Sequence, residues 1–265
     1  MPVRAAEYIA GAGVPLTVEG REGRQQVPES ILGHFCGISL AEIRLLNVYE
    51  IQLEFMLLLG ADEAGKGPVI GSMFVAGLVI EEEKLFDLAG YGVKDSKKLA
   101  PAKRELLAKK INKIATDQYI LEVKAEVIDE LRLVMTMNDI MVRSFSQVVE
   151  KLHADRAVLD AADVDAERFA RSVRSMSKTT MDLIAEHKAD EHHLVVSAAS
   201  ILAKVRRDAS MRELESVMQC KIGSGYPHDR DTIEFLNNWV KENRDLPPCS
   251  RHSWATAQRI KASFI

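Results

Sequence analysis

The sequence has only three cysteines, Cys36, Cys220 and Cys249, and no two of them form a C-x-x-C pair. That argues against a zinc knuckle or a disulfide framework and fits a reducing, cytoplasmic setting. No run of about 18 apolar residues is present, so no membrane span is expected. The N-terminus lacks the basic stretch followed by an apolar stretch that marks a secretory leader. Positive charge is not in excess either: 35 Lys and Arg stand against 39 Asp and Glu, a formal net charge of −4. Any contact with a polyanion must therefore come from local basic patches or from metal ions. Internal repeats and low-complexity tracts are missing. What is present is ordinary for a globular protein: 265 residues, 47% hydrophobic and 28% charged. That is enough for one large domain, or a domain with an appendage, around a sizeable core.

Residues 1–55 read differently from the rest. "GAGVPLTVEGREGRQQVPES" is rich in glycine, charge and turn formers, "ISLAEIRLLNVYEIQLEFM" suits an amphipathic helix, and nothing there looks catalytic. We expect an appendage, or a translation start assigned too early, with Met56 as the alternative start. From Met56 the pattern sharpens. "MLLLGADE" predicts a buried strand, and the β-branched run of residues 68–80 predicts a second, joined to it by a hairpin or tight bend. Residues 119–128 predict a third strand. "LAPAKRELLAKKINKIA" predicts a helix with Pro101 near its start. "IDELRLVMTMNDIMVRSFSQVVEKL" reads as mostly helical, and "RAVLDAADVD" as a strand ending in aspartates. "ADEHHLVVSAASILAKVRRDASMRELESVM" reads as one long helix with an apolar stripe. "GSGYPHD" is a turn, "DTIEFLNNWVKEN" a helix and "LPPCSRHSW" a loop. Strands alternating with helices, then helices alone, predict an α/β core with a helical C-terminal part.

"GADEAGKGP" has the G-x-x-x-x-G-K spacing of a phosphate-binding loop. Such a loop needs Ser or Thr after the lysine and a helix whose first amides face the phosphates. Here Gly67 and Pro68 follow Lys66, a predicted strand comes next, and Asp62 and Glu63 would repel phosphate unless a cation lay between. The match is accidental, and the acidic pair becomes the point of interest. Alone, an Asp-Glu pair at a strand end is ordinarily a solvated turn. In a strand the two side chains would face opposite ways, unless the backbone bent after Asp62, which Gly65 and Gly67 would allow. Asp160 ends another apolar run. Asp190 opens the long helix, where an N-cap is the commoner role. Each has a bland explanation; together, four carboxylates at strand and helix ends resemble a site for a hard cation.

At this point the residues become recognisable. "GADEAGKGPVIGSM", "VKDSKKLAPAKRE", "MTMNDIMV", "LDAADVDAERFA", "HKADEHHLVVSAASILAKVRRD" and "GSGYPHDRDT" resemble the ribonuclease HII family, most of all its archaeal members, in the family's order over residues 57 to about 255. The resemblance implies an RNase H-like fold, a mixed sheet flanked by helices with a small helical C-terminal segment. It divides the chain into an extension at 1–55, a catalytic domain at 56–212 and a C-terminal segment at 213–265 that contributes to substrate binding. It places the catalytic and metal-binding carboxylates on Asp62, Glu63, Asp160 and Asp190. It also implies an endonuclease, dependent on two Mg2+ or Mn2+ ions, that cuts the RNA strand of RNA–DNA hybrids. On the same ground the enzyme should cut 5′ of a ribonucleotide embedded in duplex DNA, leaving 3′-hydroxyl and 5′-phosphate ends. Asp62, at the end of the expected central strand, is our choice for the ligand shared by both ions.

Many family members carry Gly-Arg-Gly where this chain has Gly65, Lys66 and Gly67. That loop surrounds the ribonucleotide in the family, and lysine keeps the charge but loses the bidentate fork. Tyr226 matches the family's tyrosine, whose hydroxyl and ring meet the sugar. Backbone contact needs cations; Lys97, Lys98, Lys204 and Arg207 are the candidates, beside Lys94, Lys103, Arg104 and Arg206. Lys204 could reach phosphate or pair with a carboxylate. A solvated helix start is the plain alternative for the cluster from Lys94 to Arg104. His192 and His193 are taken as surface or supporting groups. The ending "AQRIKASFI" does not fit the clamp-binding peptide of some archaeal members, so no protein partner is claimed and a monomer is expected. The competing readings are another RNase H-like nuclease such as a resolvase core, a catalytically dead nucleic-acid binder and, weakest, a nucleotide hydrolase.

Overall fold

The computed structural model describes residues 56–93 and 99–264, together with the backbone of three short strands nearer the N-terminus. The chain divides into two compact units, residues 1–56 and 57–265. In the first, β1 (Thr17–Gly20) pairs antiparallel with β2 (Gly23–Gln26) and with β3 (Ile51–Gln52). Of the helix expected over residues 38–56, Ile51 and Gln52 are strand β3 instead, and residues 38–50 and 53–55 lie outside the described residues, as do Lys94, Lys97 and Lys98.

The second unit is built on five strands in the order β6-β5-β4-β7-β8. β4 (Leu57–Ala64) and β5 (Met73–Glu81) form the expected hairpin, and β6 (Asp117–Val123) extends it antiparallel. β7 (Arg156–Asp160) joins the other edge of β4 in parallel, followed in parallel by β8 (Asp182–Glu186). The sheet is therefore mixed, as expected, and β4 is its middle strand.

Alternation along β5 sorts the core. Met73, Val75 and Val79 pack on one face with Phe145 and Val149 of α4 (Met137–Lys151) and Phe169 of α5 (Ala166–Ser177). Ala76, Leu78 and Ile80 pack on the other face. There they meet α1 (Leu85–Tyr91), α2 (Pro101–Ile114) and the apolar stripe of α7 (Leu194–Met218). Gly60 decides how closely α7 can lie: a Cβ there would stand 2.5 Å from the Val195 carbonyl carbon. A third cluster joins Val69 and Ile70 to α8 (Arg230–Asn243) and α9 (Ala255–Ala262).

Several expected elements break where a local rule overrides the apolar pattern. The second strand begins at Met73, not at 68, because residues 65–72 form a loop with left-handed glycines at Gly65 and Gly71. The third strand stops at Val123, and α3 (Ala125–Arg132) takes over. The next helical stretch is cut before Met137 by a capping box, in which Thr136 and Asp139 satisfy each other's backbone amides. The long helix is likewise two: α6 (Ala189–His192), then a break at His193, then α7. The expected division at 212/213 falls inside α7, which runs on to Met218.

Candidate active site

Parallel pairing brings the acidic residues together. β4 and β7 run the same way, and Ala61 is level with Leu159. The next residues, Asp62 and Asp160, therefore leave the same end of the sheet side by side. The backbone does not bend after Asp62; β4 continues to Ala64, paired with Phe74, and turns only at Gly65, whose φ is +93°. Alternation would send Glu63 to the other face. Pairing with β7 has ended by then, however, and the Glu63 carboxylate nonetheless meets the two aspartates. One oxygen each from Asp62, Glu63 and Asp160 lies within 4.8 Å of the others.

Asp190 is buried but is not part of that trio. It sits in the first turn of α6 and does not cap the helix; Lys188, in the left-handed conformation, is at the cap position without a side-chain bond. The turn is fastened to the trio all the same, because the Ala189 amide donates to Asp160 Oδ1 at 2.7 Å. His193 pairs with Glu186 at 2.9 Å, beside the trio rather than in it.

The trio carries more negative charge than its surroundings offset. Burial, and then the neighbouring Glu63, push the Asp62 carboxyl up to about 7. Burial, and then Asp160, raise Glu63 as well. Three groups work against this: the Glu63 amide donates to Asp62 Oδ1 at 2.7 Å, Ser200 on α7 hydrogen-bonds the Asp62 carboxylate, and Lys204 acts through its charge. Lys204 Nζ donates to Ser200 Oγ at 2.6 Å, so it supports the carboxylate through the serine.

A cleft of about 370 Å³ opens beside the trio, lined by Glu63, residues 64–67, Arg104, Lys204, Arg207, Asp208 and Tyr226. Two buried side-chain atoms lack a hydrogen-bond partner among the described residues, Glu63 Oε2 and Arg104 Nε, and both residues belong to this lining. Buried polar groups are otherwise satisfied, so an acidic and a basic orphan on one cleft point to a ligand with both cationic and anionic parts. The oxygen-only donors and the orphaned Glu63 Oε2 fit a hard divalent cation. A second cleft, about 430 Å³, lies between the end of α7 and α8, away from the carboxylates.

The expected substrate residues divide by what they touch. Lys66 Nζ donates to the Ala162 carbonyl at 2.6 Å, tying the β4 loop to the segment after β7. The Arg207 guanidinium lies 5.0 Å from the Tyr226 ring centre, beneath it, and donates to the Ser224 carbonyl. It thus holds the tyrosine's turn while lining the cleft. Arg104 is paired with Asp208 at 2.7 Å and also lines it, whereas Lys103 is exposed.

Arg251 escaped the sequence reading. It is wholly buried, yet its guanidinium donates to the carbonyls of Gly65 at 2.6 Å, Lys66 at 2.8 Å and Gly71 at 3.0 Å. Nothing in "LPPCSRHSW" marks that arginine, because its partners are backbone atoms and backbone atoms leave no trace in a sequence pattern.

With this geometry in view, comparison with known proteins is informative. The sequence model described as Ribonuclease HII matches residues 59–257. The ribonuclease HII of Methanothrix thermoacetophila is 60% identical over 210 residues, 79% of this chain and 100% of that protein. That of Methanosarcina barkeri is 51% identical over 214 residues, 78% of this chain and 96% of that protein. Among solved structures, ribonuclease H2 from Pyrococcus horikoshii OT3 superposes with a TM-score of 0.75 at 40% identity, over 79% of this chain and 99% of that one. The ribonuclease HII in the PCNA complex from Archaeoglobus fulgidus does so with a TM-score of 0.70 at 39% identity, over 77% and 96%.

Proposed function

The chain belongs to the ribonuclease HII family, and from that premise we propose how its residues cut an RNA–DNA duplex. It is a type 2 ribonuclease H, a nuclease acting on RNA–DNA hybrids. The finer reading is an endonuclease that also cuts 5′ of a ribonucleotide embedded in duplex DNA. The observation that supports it most is a cleft whose lining includes both Glu63 and Arg104, each with a buried side-chain atom that lacks a hydrogen-bond partner among the described residues.

Asp62, Glu63 and Asp160, with Asp190 nearby in sequence order after β8, would hold the divalent ions, Mg2+ or Mn2+. Such ions would supply Lewis-acid stabilisation of the phosphoryl oxygens. The protein's own groups do the rest. Ser200 and Lys204 keep Asp62 ionisable within its buried setting. Backbone groups of the 65–67 loop and the Tyr226 hydroxyl distinguish ribose from deoxyribose by its 2′-hydroxyl. The Tyr226 ring, steadied by Arg207, packs on a sugar, and Lys66, Arg104, Lys204 and Arg207 give the cleft its positive wall for phosphate. Water attacks phosphorus and the bond to the 3′-oxygen breaks, which leaves 3′-hydroxyl and 5′-phosphate ends.

The test is cleavage of a labelled DNA duplex containing one ribonucleotide, with Mg2+ or Mn2+ and an all-DNA control. One cut 5′ to the ribonucleotide, lost in Asp160→Asn and absent from the control, supports the reading. A folded wild-type protein that leaves that duplex intact with either metal sinks the embedded-ribonucleotide activity.

A further inference from the structure

The 65–67 loop is a recognition element only if its backbone faces the right way, and its own sequence cannot ensure that. Glycine-rich backbone is permissive, and Gly65 stands at φ +93°. Hydrogen bonds from outside the loop supply the orientation. The carbonyls of Gly65 and Lys66 accept from the Arg251 guanidinium at 2.6 and 2.8 Å, and that of Gly67 accepts from Trp254 Nε1 at 3.2 Å. In a planar trans peptide the C=O and the following N–H point in opposite directions. Turning those first two carbonyls toward Arg251 therefore turns the amides of Lys66 and Gly67 away from it. Those amides donate none of the hydrogen bonds found among the described residues, and both residues line the cleft. The third peptide leaves no orphan, because Pro68 has no N–H.

Arg251 is itself held from behind. Its guanidinium lies 4.9 Å from the Trp254 ring centre. Asp129 of α3 accepts from the His252 amide at 2.6 Å, the Ser253 amide at 2.9 Å and the Ser253 hydroxyl at 2.5 Å. The Arg251 amide donates to the Val69 carbonyl at 2.8 Å, closing a ring between the two loops.

We propose that Arg251, with Trp254 beside it and Asp129 behind it, is the positioning group that presents the Lys66 and Gly67 amides to the ribonucleotide, and so sets the preference for ribose over deoxyribose. This rests on the functional reading above. It assigns the C-terminal loop a part in specificity through the backbone it holds rather than through the acidic trio.

The experiment uses the full chain in a non-cleaving Asp160→Asn background, with Arg251→Lys and Trp254→Phe added separately. Two quantities are read. One is the ratio of Kd for an all-DNA duplex to Kd for the same duplex with one ribonucleotide. The other is hydrogen-exchange protection of the Val69, Ile70 and Gly71 amides, which donate to Gly225 and Cys249 carbonyls across the same loop. The expected result is a ribonucleotide preference reduced by about tenfold in Arg251→Lys, the equivalent of one well-made hydrogen bond. Trp254→Phe, which removes only the indole donor, should reduce it less, and protection should fall in both variants. Should Arg251→Lys fail to fold, Trp254→Phe carries both readouts alone. Protection lost with the preference intact would make Arg251 a structural prop and overturn the proposal. A preference lost with protection intact would overturn it equally, since the loop would not be the route. A protein without any ribonucleotide preference before the added substitutions fails the functional reading itself, and the positioning role with it.

Discussion

Two buried charged groups lie close in this fold and could hardly differ more. The Asp62–Glu63 pair is crowded by like charge, pushed toward its protonated form, and leaves Glu63 Oε2 without a partner. Arg251 is also buried, and burial lowers its pKa to about 10, yet it is satisfied by three backbone carbonyls and an indole ring. The first group is unfinished without a ligand; the second is complete. The lesson is that burial of charge alone does not mark a binding site. What marks it is burial without satisfaction.

The largest effect should come from breaking the unfinished side. Asp160→Asn should lower cleavage by about a thousandfold or more, since several kcal/mol of charge stabilisation depend on the trio, while circular dichroism stays unchanged. Breaking the finished side should do the reverse to stability. Arg251→Met orphans buried carbonyls and should cost about 3 kcal/mol or more in urea unfolding, with no recovery on adding Mg2+ or Mn2+. An Arg251→Met protein as stable as the parent would erase the contrast.

Acidity sharpens it further. The folded Asp62 carboxyl titrates near 7, against 3.8 for the free group. Between those values the folded state keeps a proton that the unfolded chain has lost, so metal-free stability should be full below about pH 4 and fall as pH rises through 7. Added Mg2+ or Mn2+ should raise Tm more at pH 8 than at pH 5, as the ion replaces the proton. A metal-induced shift that shrinks with rising pH would contradict this. Glu63→Gln should raise the metal-free Tm at pH 8 by a few degrees and abolish most of the metal-induced shift, because a neutral amide relieves the crowding but ligates poorly. The smallest change belongs to Lys204→Met. Losing its charge should push the Asp62 carboxyl higher still, moving the pH–rate profile to the alkaline side without a large loss at the optimum.

The other unused feature teaches the same lesson on a larger scale. The roomier cleft, between α7 and α8, has its acidic Asp231 already paired with Lys221 at 2.6 Å. None of the orphaned atoms lies on it. Volume distinguishes the two clefts less well than unsatisfied chemistry does.

Much of this was legible in the residues. Apolar runs ending in acidic residues gave β4 and β7, and the apolar stripe from Leu194 gave α7, because side-chain periodicity is a local property. Boundaries were lost where backbone hydrogen bonding intervened. The Thr136–Asp139 box cut a helix that the apolar pattern would have continued, and the Gly65 and Gly71 turns delayed the start of β5.

By itself the sequence determined which residue types stand at the ends of apolar runs, and hence that Asp62, Glu63, Asp160 and Asp190 were the groups to watch. The tertiary structure alone decided that the first three converge within 4.8 Å while Asp190 stands outside the trio. Convergence depends on the parallel register of β4 with β7, a pairing across nearly a hundred residues that no local pattern encodes. It alone decided the role of Arg251 too. Hydrogen bonds to carbonyls carry no side-chain signature, so the residue holding the 65–67 loop became visible only once the chain had folded around it.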